Sequence, residues 1–541
     1  MVISACSGTS KNGPATGPVD NNTSQTFTLS GTLPVDGPPQ YGGTLRVNVT
    51  SETPSLDPHA SPSFAVPTAT AGTVYNKLVE FQSNRDLSYG TMKVVPDLAE
   101  SYTQSPDGMT WTFNLRHGVK FQDIAPVSGR EFQASDVVCT LDRIKSYPGP
   151  QLYLLNPVQT YETPDPYTVV FHMNFPYPAF DESLASFYMA MLPCEGTRGE
   201  YDLANTAIGT GPFQISSRQR NVETDYVKNP NYFVPGEPYL DGLKVVVIPD
   251  ANAALAAMRT GELDVTGSIN QTLLPALKST NPEIVVRSQL TLGPNQIMFN
   301  MTSKPFDDYR VRKAIAMSID RDGLAKAFYD QYYMPTGPIP SVLFGGMNPD
   351  DAEKAIPYDP EGAKKLLADA GYPNGITAKM LTTSGYGDQF VSQAQWVQQD
   401  LAKIGVNVDL NILDYATYFS TFAAKDYDIG WGLSSSFLSA DEYLEALYMK
   451  DGSRNYFNFS DPTLEDMIKQ QRSELDKDKR AADLAKINTY ILENSLPLWF
   501  GFQFSSLVAQ QPWVHNYYAS PSYGRVYMAT LWMDTSAPTR K

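Results

Sequence analysis

The sequence predicts an α/β fold, because stretches with the period of a strand alternate along it with stretches that have the period of a helix. Trp111–Arg116 alternates large apolar with polar side chains, as a half-buried strand does. Val311, Ile315 and Ile319 are spaced four residues apart, so they lie on one face of a helix. Both patterns recur along most of the chain.

Further strands are predicted near the N-terminal end of the folded part and around the first strand. Thr44–Val49 follows a pair of glycines, which is typical of a turn that leads into a strand. Asp107-Gly108 precedes the strand at Trp111 and is typical of a hairpin turn. The alternation over Val169–Phe175 predicts another strand of the same region.

The sequence also predicts helix boundaries in the second half of the chain. Asp359-Pro360-Glu361 begins a helix with proline in its first turn, and Gly371 ends it. Val391–Ile404 predicts a second helix, which Gly405 ends. The alternation over Val406–Leu410 then predicts a strand, so helices and strands interleave.

Composition excludes several classes of function. The chain has 541 residues, with 58 acidic against 41 basic residues and a formal charge of −17. Nucleic-acid binding is excluded, because phosphate contacts need a basic surface. No stretch reaches the roughly 20 apolar residues of a membrane helix.

The N-terminal residues predict a lipid anchor. A branched aliphatic residue and two small residues precede Cys6, as in the end of a bacterial lipoprotein signal whose cysteine becomes acylated. The alternative is a chance cysteine near a chain end. Residues 7–40 are rich in Gly, Ser, Thr, Pro and Asn and are expected to form a flexible tether.

Two further cysteines, Cys139 and Cys194, have no assigned partner in the sequence. An exported protein can hold a disulfide, so the two thiols either pair or stay separate and buried. Their spacing along the chain does not decide between these alternatives.

Motifs of catalysis and metal binding are absent. The sequence contains no GxSxG, HExxH or GxxxxGK[ST] pattern. The four histidines are far apart, and none lies at ligand spacing from a cysteine or an acid. We therefore expect no enzyme activity, no metal site and no cofactor.

Eight groups of residues, in the same order, resemble the extracytoplasmic solute-binding proteins of ABC importers, in the family that binds oligopeptides, dipeptides and nickel (family 5). The resemblance covers nearly the whole chain after residue 40. Its longest segment is Asp107–Phe121. The other segments are Gly42–Leu45 with Leu56–Pro58, Val95–Tyr102, Ala134–Val138, Gly209–Phe213, Gly261–Val265, Asp308–Ile315, and Tyr358–Pro360 with Ala370–Pro373.

The resemblance implies a two-lobed α/β clamp that acts as a monomer and closes on a ligand before docking on an ABC permease. The first lobe would comprise residues 41–84, 205–295 and 508–541, with an inserted subdomain at 85–204, here called the insert. The second lobe would comprise residues 296–507. The chain would cross between the lobes near 293–295 and near 501–506.

The resemblance also implies a ligand site around Trp431. In peptide-binding members an aspartate three residues after this tryptophan pairs with the α-amino group of the peptide. Ser434 occupies that position here, and Ser435 and Ser436 follow it. Asp441 could substitute for the aspartate, but its position favours the start of the next helix. The serines are either ligand donors and acceptors or an ordinary solvated loop.

Aromatic residues complete the predicted site. Each of them packs either on a ligand or in the core. They are Tyr386, Tyr415, Tyr418, Phe419 and Phe437, with Phe64 from the first lobe. Because Ser434 cannot neutralise an ammonium, the sequence favours a neutral, aromatic, amide-like or saccharide solute. The alternative is a short peptide bound through its backbone.

Overall fold

The computed structural model describes residues 26–30, 37–60, 70–82, 92–146, 152–269, 271–433, 437–518 and 528–538. Strands and helices alternate over most of this length, so the predicted α/β class is confirmed. Two large sheets form the centres of two lobes, and a smaller sheet lies in the insert.

The first lobe is built on a mixed sheet. Its centre is Thr44–Val49, which runs parallel to Gly242–Val247. The spatial order is Thr26–Ser30, Val285–Leu290, Phe502–Gln510, Val265–Ile269, Thr44–Val49, Gly242–Val247, Glu223–Lys228 and Phe213–Gln219, with Tyr333–Pro335 added to Phe502–Gln510. Val514–His515 pairs with Trp532–Met533 nearby.

The second lobe is built on a mixed sheet with buried strands at its centre. Ile429–Leu433, which contains Trp431, pairs in parallel with Ile376–Thr383 and antiparallel with Asn295–Phe299. The spatial order is Val406–Leu413, Ile376–Thr383, Ile429–Leu433, Asn295–Phe299 and Leu498–Phe500. The two outermost strands therefore come from distant parts of the sequence.

The insert contains an antiparallel sheet. Trp111, Phe113 and Leu115 alternate with less buried residues along Thr110–Leu115, as the sequence predicts. The spatial order is Ala99–Gln104, Thr110–Leu115, Thr168–Met173 and Val158–Asp165. A short pair of strands, Val79–Phe81 and Val94–Pro96, joins the insert to the first lobe.

Helices cover the sheets of both lobes. In the first lobe and the insert they are Ala134–Ser146, Phe180–Ala185, Cys194–Thr197, Ala251–Arg259 and Leu274–Thr280, with a 3₁₀ turn at Leu152–Leu155. In the second lobe they are Tyr309–Ser318, Arg321–Tyr329, Pro349–Ala355, Pro360–Asp369, Asp388–Lys403, Tyr415–Ala424, Ala440–Tyr448, Pro462–Arg472 and Lys477–Tyr490, with a π-helical turn at Ile491–Ser495.

Local signals mark two helix starts of the second lobe. The Asp308 carboxylate accepts a hydrogen bond from the Arg310 N–H, and the Asp359 carboxylate accepts one from the Gly362 N–H. Both aspartates are therefore N-caps. The helix predicted to begin at residue 391 begins earlier, at Asp388.

The predicted tether differs from the structure in one segment. Thr26–Ser30 forms an antiparallel strand on the edge of the large sheet, against Val285–Leu290. Its sequence, TFTLS, alternates hydroxyl-bearing with apolar residues, and this period suits a strand better than a random tether. Residues 1–25, which include Cys6, lie outside the described residues.

The chain passes between the large sheets at two adjacent places. Asn295 begins a strand of the second lobe, and Gly501 separates the last strand of that lobe from Phe502–Gln510. The Gly501 N–H donates to the Asn295 carbonyl at 3.0 Å. A Cβ at Gly501 would lie 2.6 Å from the same oxygen, so this close approach requires glycine. The predicted lobe boundaries remain predictions.

Cys139 and Cys194 are joined by a disulfide in the structure. Cys139 lies in the helix Ala134–Ser146, and Cys194 begins the short helix Cys194–Thr197. Of the two alternatives left by the sequence, the structure therefore has the pair rather than two separate thiols. The bond ties the two helices of the insert together.

Arg312 anchors the last helices of the second lobe. Its side chain is only 3% exposed. Its guanidinium donates to the carbonyl of Phe306 at 2.8 Å, to that of Leu496 at 3.0 Å, and to that of Ser495. Burial lowers the pKa of Arg312 to about 10, so the group stays charged at neutral pH. Arg312 is thus a structural residue.

Replacing Arg312 tests this structural role. We expect Arg312→Met to lower the free energy of unfolding by about 3 kcal/mol, because three carbonyl oxygens lose their donor. Arg310→Met is the matched control. Arg310 is exposed and pairs with Asp308, so we expect a change below about 1 kcal/mol. Urea unfolding followed by circular dichroism measures both, and equal losses would contradict the assignment.

Candidate functional site

Trp431 lies at the centre of the second lobe. Its side chain is 0% exposed, and its ring packs against Phe390, with centroids 5.8 Å apart, and Trp499, with centroids 6.3 Å apart. Its indole Nε1 is buried and has no hydrogen-bond partner among the described residues. Direct contact between Trp431 and a solute would therefore require its neighbours to move.

Four predicted aromatic residues join Trp431 in one ring cluster. Tyr386 packs against Tyr415 at 5.5 Å, and Tyr415 packs against Phe419 at 4.9 Å. Phe419 packs against Tyr418 at 5.5 Å, and the Tyr418 hydroxyl donates to the Trp431 carbonyl at 3.2 Å. Tyr415 is 40% exposed, so the cluster reaches the surface at this end. The other rings are partly or fully buried.

Phe437 lies apart from this cluster. Its ring packs against Tyr443 at 5.0 Å, on the helix that follows, and against Tyr153 of the insert at 6.5 Å. The Tyr443 hydroxyl donates to the Leu292 carbonyl at 2.6 Å, near one crossing between the lobes. Phe437 therefore lies where the insert meets the second lobe.

The remaining predicted site residues cannot be placed. Ser434, Ser435, Ser436 and Phe64 lie outside the described residues. Their proposed roles stay predictions.

Asp441 is held inside the protein by three side chains. Gln471 Nε2 donates to its Oδ1 at 3.1 Å, and Arg472 Nε donates to its Oδ2 at 3.1 Å. The Tyr177 hydroxyl of the insert also donates to Oδ2. The carboxylate lies in the first turn of Ala440–Tyr448, as its sequence position favours. These contacts leave Asp441 with a structural role rather than that of a substitute for the missing aspartate.

Arg472 links this helix to the insert. Its Nη1 donates to Glu445 Oε2 at 2.9 Å, and its guanidinium lies over the rings of Phe175 and Tyr177, 5.4 and 5.2 Å from their centroids. Burial opposes its charge, but the carboxylates of Asp441 and Glu445 raise the pKa of Arg472 above its ordinary value. We call the set of Tyr177, Asp441, Glu445 and Arg472 the interlobe contact.

A second hydrogen bond spans the same interface. Asn156 Nδ2 of the insert donates to Glu445 Oε1 at 3.1 Å. Arg472 of the second lobe thus donates to one Glu445 oxygen, and Asn156 of the insert donates to the other. The insert and the second lobe are therefore in contact in this region.

Glu442 is the next acid on the helix, and it has different surroundings. Its side chain is 4% exposed, and its Oε2 accepts the Leu438 N–H at 2.6 Å. The Ser439 hydroxyl accepts the Glu442 N–H at 3.1 Å. Burial raises the pKa of Glu442 to about 7, against hydrogen bonds that lower it. Its Oε1 has no hydrogen-bond partner among the described residues.

Arg454 contributes a buried positive charge to the same interface. It is 7% exposed, and its Nη1 donates to the Tyr456 hydroxyl at 2.9 Å. Burial opposes its charge, but the phenols of Tyr456, Tyr188 and Tyr153 raise the pKa of Arg454 above its ordinary value. Tyr188 and Tyr153 belong to the insert, so a guanidinium of the second lobe faces phenols of the first.

The sequence did not identify Tyr177, Asn156, Glu442, Arg454 or Arg472 as site residues. One signal was available, because Ser439-Ala-Asp-Glu442 has the form of a capping box. That pattern predicts a helix start but says nothing of what faces it. The contacts of Tyr177 and Asn156 join residues more than 250 positions apart, and Arg472 lies 31 positions from Asp441.

Metal binding and membrane insertion find no support in the described ranges. Among the residues that the structure describes, no group of three or more His, Cys, Asp or Glu side chains could hold a metal ion. None of the described helices has the length and apolarity needed to cross a bilayer.

Comparison with known proteins places the chain in a family. Residues 93–455 match the model of the bacterial extracellular solute-binding proteins, family 5. The chain is 30% identical over 490 residues to Di/tripeptide-binding protein 1 of Pseudomonas aeruginosa, with 84% of this chain and 87% of that protein covered.

Solved structures show the same fold. A periplasmic binding protein DppA from Helicobacter pylori, in complex with the peptide STSA, superposes with a TM-score of 0.79 at 26% identity, with 91% of this chain and 98% of that one covered. AgaA from A. tumefacien R10, in complex with agropinic acid, gives 0.79 at 26% identity, with 91% and 99% covered. Proteins of this kind bind solutes for transport and are not enzymes. The chain therefore belongs to the bacterial extracellular solute-binding proteins, family 5.

Proposed function

We propose that this chain captures a small or mid-sized organic solute between its lobes, as a monomer, and delivers it to the permease of an ABC importer. The interlobe contact is the observation that carries the proposal. Tyr177 and Asn156 reach from the insert to two acids of one helix in the second lobe. A receptor of this kind needs a closed state that the ligand can stabilise by touching both lobes.

A short peptide is the solute class with the best support. The relatives include proteins named for di- and tripeptides, and one similar structure holds a peptide. Buried Glu442 and Arg454 give the interface both signs of charge, which suits the charged ends of a peptide better than a neutral solute. The neutral alternative rests on Ser434. A structure with agropinic acid makes a small non-peptide solute the second candidate.

The proposed location is the outer face of the cell membrane, with the chain held there through Cys6. The residues before Cys6 support this anchor, because they have the composition of a lipoprotein signal end. The family consists of extracellular proteins, which agrees with this location.

Solute capture is tested first. We expect purified protein to release a bound small molecule on denaturation, identified by mass spectrometry, and to rise in melting temperature with members of a dipeptide and tripeptide library. Ligand at 100 times Kd should add about 2.7 kcal/mol of stability. Small-angle scattering should show a smaller radius of gyration with the ligand. A chain that binds no solute in any of these measurements would contradict the proposal.

Tyr177→Phe tests the interlobe contact. The variant removes one donor to a buried carboxylate, which costs the closed state about 1–3 kcal/mol. Solute affinity should fall by about tenfold, since 1.4 kcal/mol corresponds to that factor. Calorimetry measures the affinity, and scattering measures the fraction of open protein.

Tyr161→Phe is the control for this change. The Tyr161 hydroxyl donates to the Asp142 carboxylate, and both residues belong to the insert. Its loss should leave affinity and scattering unchanged. If Tyr177→Phe behaved in the same way, the contact would have no part in closure.

The anchor is tested separately. In cells that make this protein, the chain should sediment with membranes and incorporate an alkyne-labelled fatty acid. Cys6→Ala should abolish the label and release the chain, whereas Cys139 and Cys194 are already joined to each other. Absence of label from the unaltered chain would show that Cys6 is not an anchor.

A further inference from the structure

A short helix of the insert brings two acids to the interlobe contact. The helix Phe180–Ala185 carries Asp181 and Glu182 in its first turn. Ser183 Oγ, on the residue after Glu182, lies 3.1 Å from the Tyr177 hydroxyl, and that hydroxyl donates to the Asp441 carboxylate of the second lobe. This chain of contacts places the two insert acids beside the acidic helix Ala440–Tyr448.

The acidic helix already holds more negative than positive charge. Asp441, Glu442 and Glu445 are all buried. Arg472 pairs with Asp441 at 3.1 Å and with Glu445 at 2.9 Å. Glu442 makes no ion pair within the described ranges. A further carboxylate that approaches from the insert therefore meets a surface of the same sign.

Arg480 of the second lobe offsets this charge only in part. Its Nε donates to Gln471 Oε1 at 3.3 Å, and Gln471 Nε2 donates to Asp441 Oδ1 at 3.1 Å. Its guanidinium lies over the ring of Phe344, 5.5 Å from the centroid. No carboxylate of the described residues lies within ion-pair distance of Arg480.

The two insert acids differ in their partners. The Tyr102 hydroxyl donates to Asp181 Oδ2 at 3.3 Å, and the Glu182 N–H donates to Asp181 Oδ1 at 2.9 Å. The Glu182 side chain is partly buried and makes no hydrogen bond or ion pair among the described residues. Of the two acids, Glu182 is thus the one whose charge has no direct partner.

The surroundings of Glu182 favour its neutral form. Burial raises the pKa of Glu182 to about 7. Arg480 lowers this pKa, whereas Asp181, Asp441 and Glu442 raise it. Asp441 and Glu442 lie across the interface, so part of the increase arises only when the insert meets the second lobe.

We propose that Glu182 takes up a proton when the insert meets the second lobe, so that acidic surroundings favour closure. This inference rests on the proposed function and adds a form of regulation to it. In an open chain, Glu182 would face water and stay ionised at neutral pH. In the closed chain, a neutral carboxyl removes the repulsion between Glu182 and the acids of Ala440–Tyr448.

Closure then depends on pH in one direction. A glutamate in water titrates near about 4.3, whereas Glu182 titrates at about 7 in the closed chain. Between these values the closed chain binds more protons than the open chain. Closure therefore weakens as the pH rises from about 4.3 to about 7 and changes little above that. Solvent reaches Glu182 in part and reduces the size of the effect.

Peptide affinity at two pH values tests the inference. The probes are dipeptides and tripeptides without titratable side chains, whose terminal charges change by less than about a fifth between pH 5 and pH 7. We expect the affinity of the unaltered protein, measured by calorimetry, to be about tenfold or more weaker at pH 7 than at pH 5. Calorimetry in buffers of different ionisation enthalpy should show proton uptake on binding.

Glu182→Gln imitates the neutral acid at every pH. The variant should bind the peptides at pH 7 about threefold or more tighter than the unaltered protein, and the affinity ratio between pH 5 and pH 7 should fall by about the same factor. A gain in affinity cannot come from a misfolded variant. Glu162→Gln is the matched control, because Glu162 is an exposed acid of the insert sheet beside His172. It should leave the ratio unchanged.

The possible failures are distinguishable. If peptides bind equally well at both pH values, or if Glu182→Gln keeps the full ratio or shows no gain at pH 7, the inference is overturned and solute capture stands. If no peptide binds at either pH and no small molecule co-purifies, the proposed function fails. Small-angle scattering of the chain without ligand then decides the inference: a smaller radius of gyration at pH 5 than at pH 7 supports it, and equal radii overturn it.

Discussion

The structure depends most on the buried guanidinium of Arg472, which lies between two acids of its own lobe and two rings of the insert. Taking three charges out of water is expensive unless they satisfy one another. Here the second lobe supplies both the positive and the negative charges. The insert adds neutral groups: the phenol of Tyr177, the amide of Asn156 and the faces of the Phe175 and Tyr177 rings. Opening the lobes would therefore leave the ion pairs of the interlobe contact intact.

This division has a consequence for ligand binding. A ligand shifts the equilibrium between the open and closed states only by the difference between its affinities for them. One or two good contacts can supply a free-energy difference of a few kcal/mol. The helix Ala440–Tyr448 carries the two acids of the interlobe contact, Asp441 and Glu445. Under the proposed function, a solute that touches both this helix and the insert would stabilise the closed state directly, with no need for a long pathway between them.

The ring cluster around Trp431 has a different role in this arrangement. Trp431 sits on a central strand, and Phe390 and Trp499 pack on it from a helix and from a neighbouring strand. Tyr418 holds the Trp431 carbonyl from another helix. These contacts fix the end of Ile429–Leu433, and so they fix the point from which the chain leads to Phe437 and the acidic helix.

The sequence by itself determined the α/β class, several individual helices and strands, and the family, because caps, periodicity and short motifs are local signals. It also named Tyr386 and Tyr415 as site candidates, and the structure shows their rings in contact. Only the tertiary structure decided that Asp441 is neutralised by Arg472 and Tyr177, that Cys139 bonds Cys194, and that Glu442 keeps an unsatisfied oxygen. The reason is physical: burial and pairing depend on residues that folding brings together from distant parts of the chain, and no local period records which partners will meet.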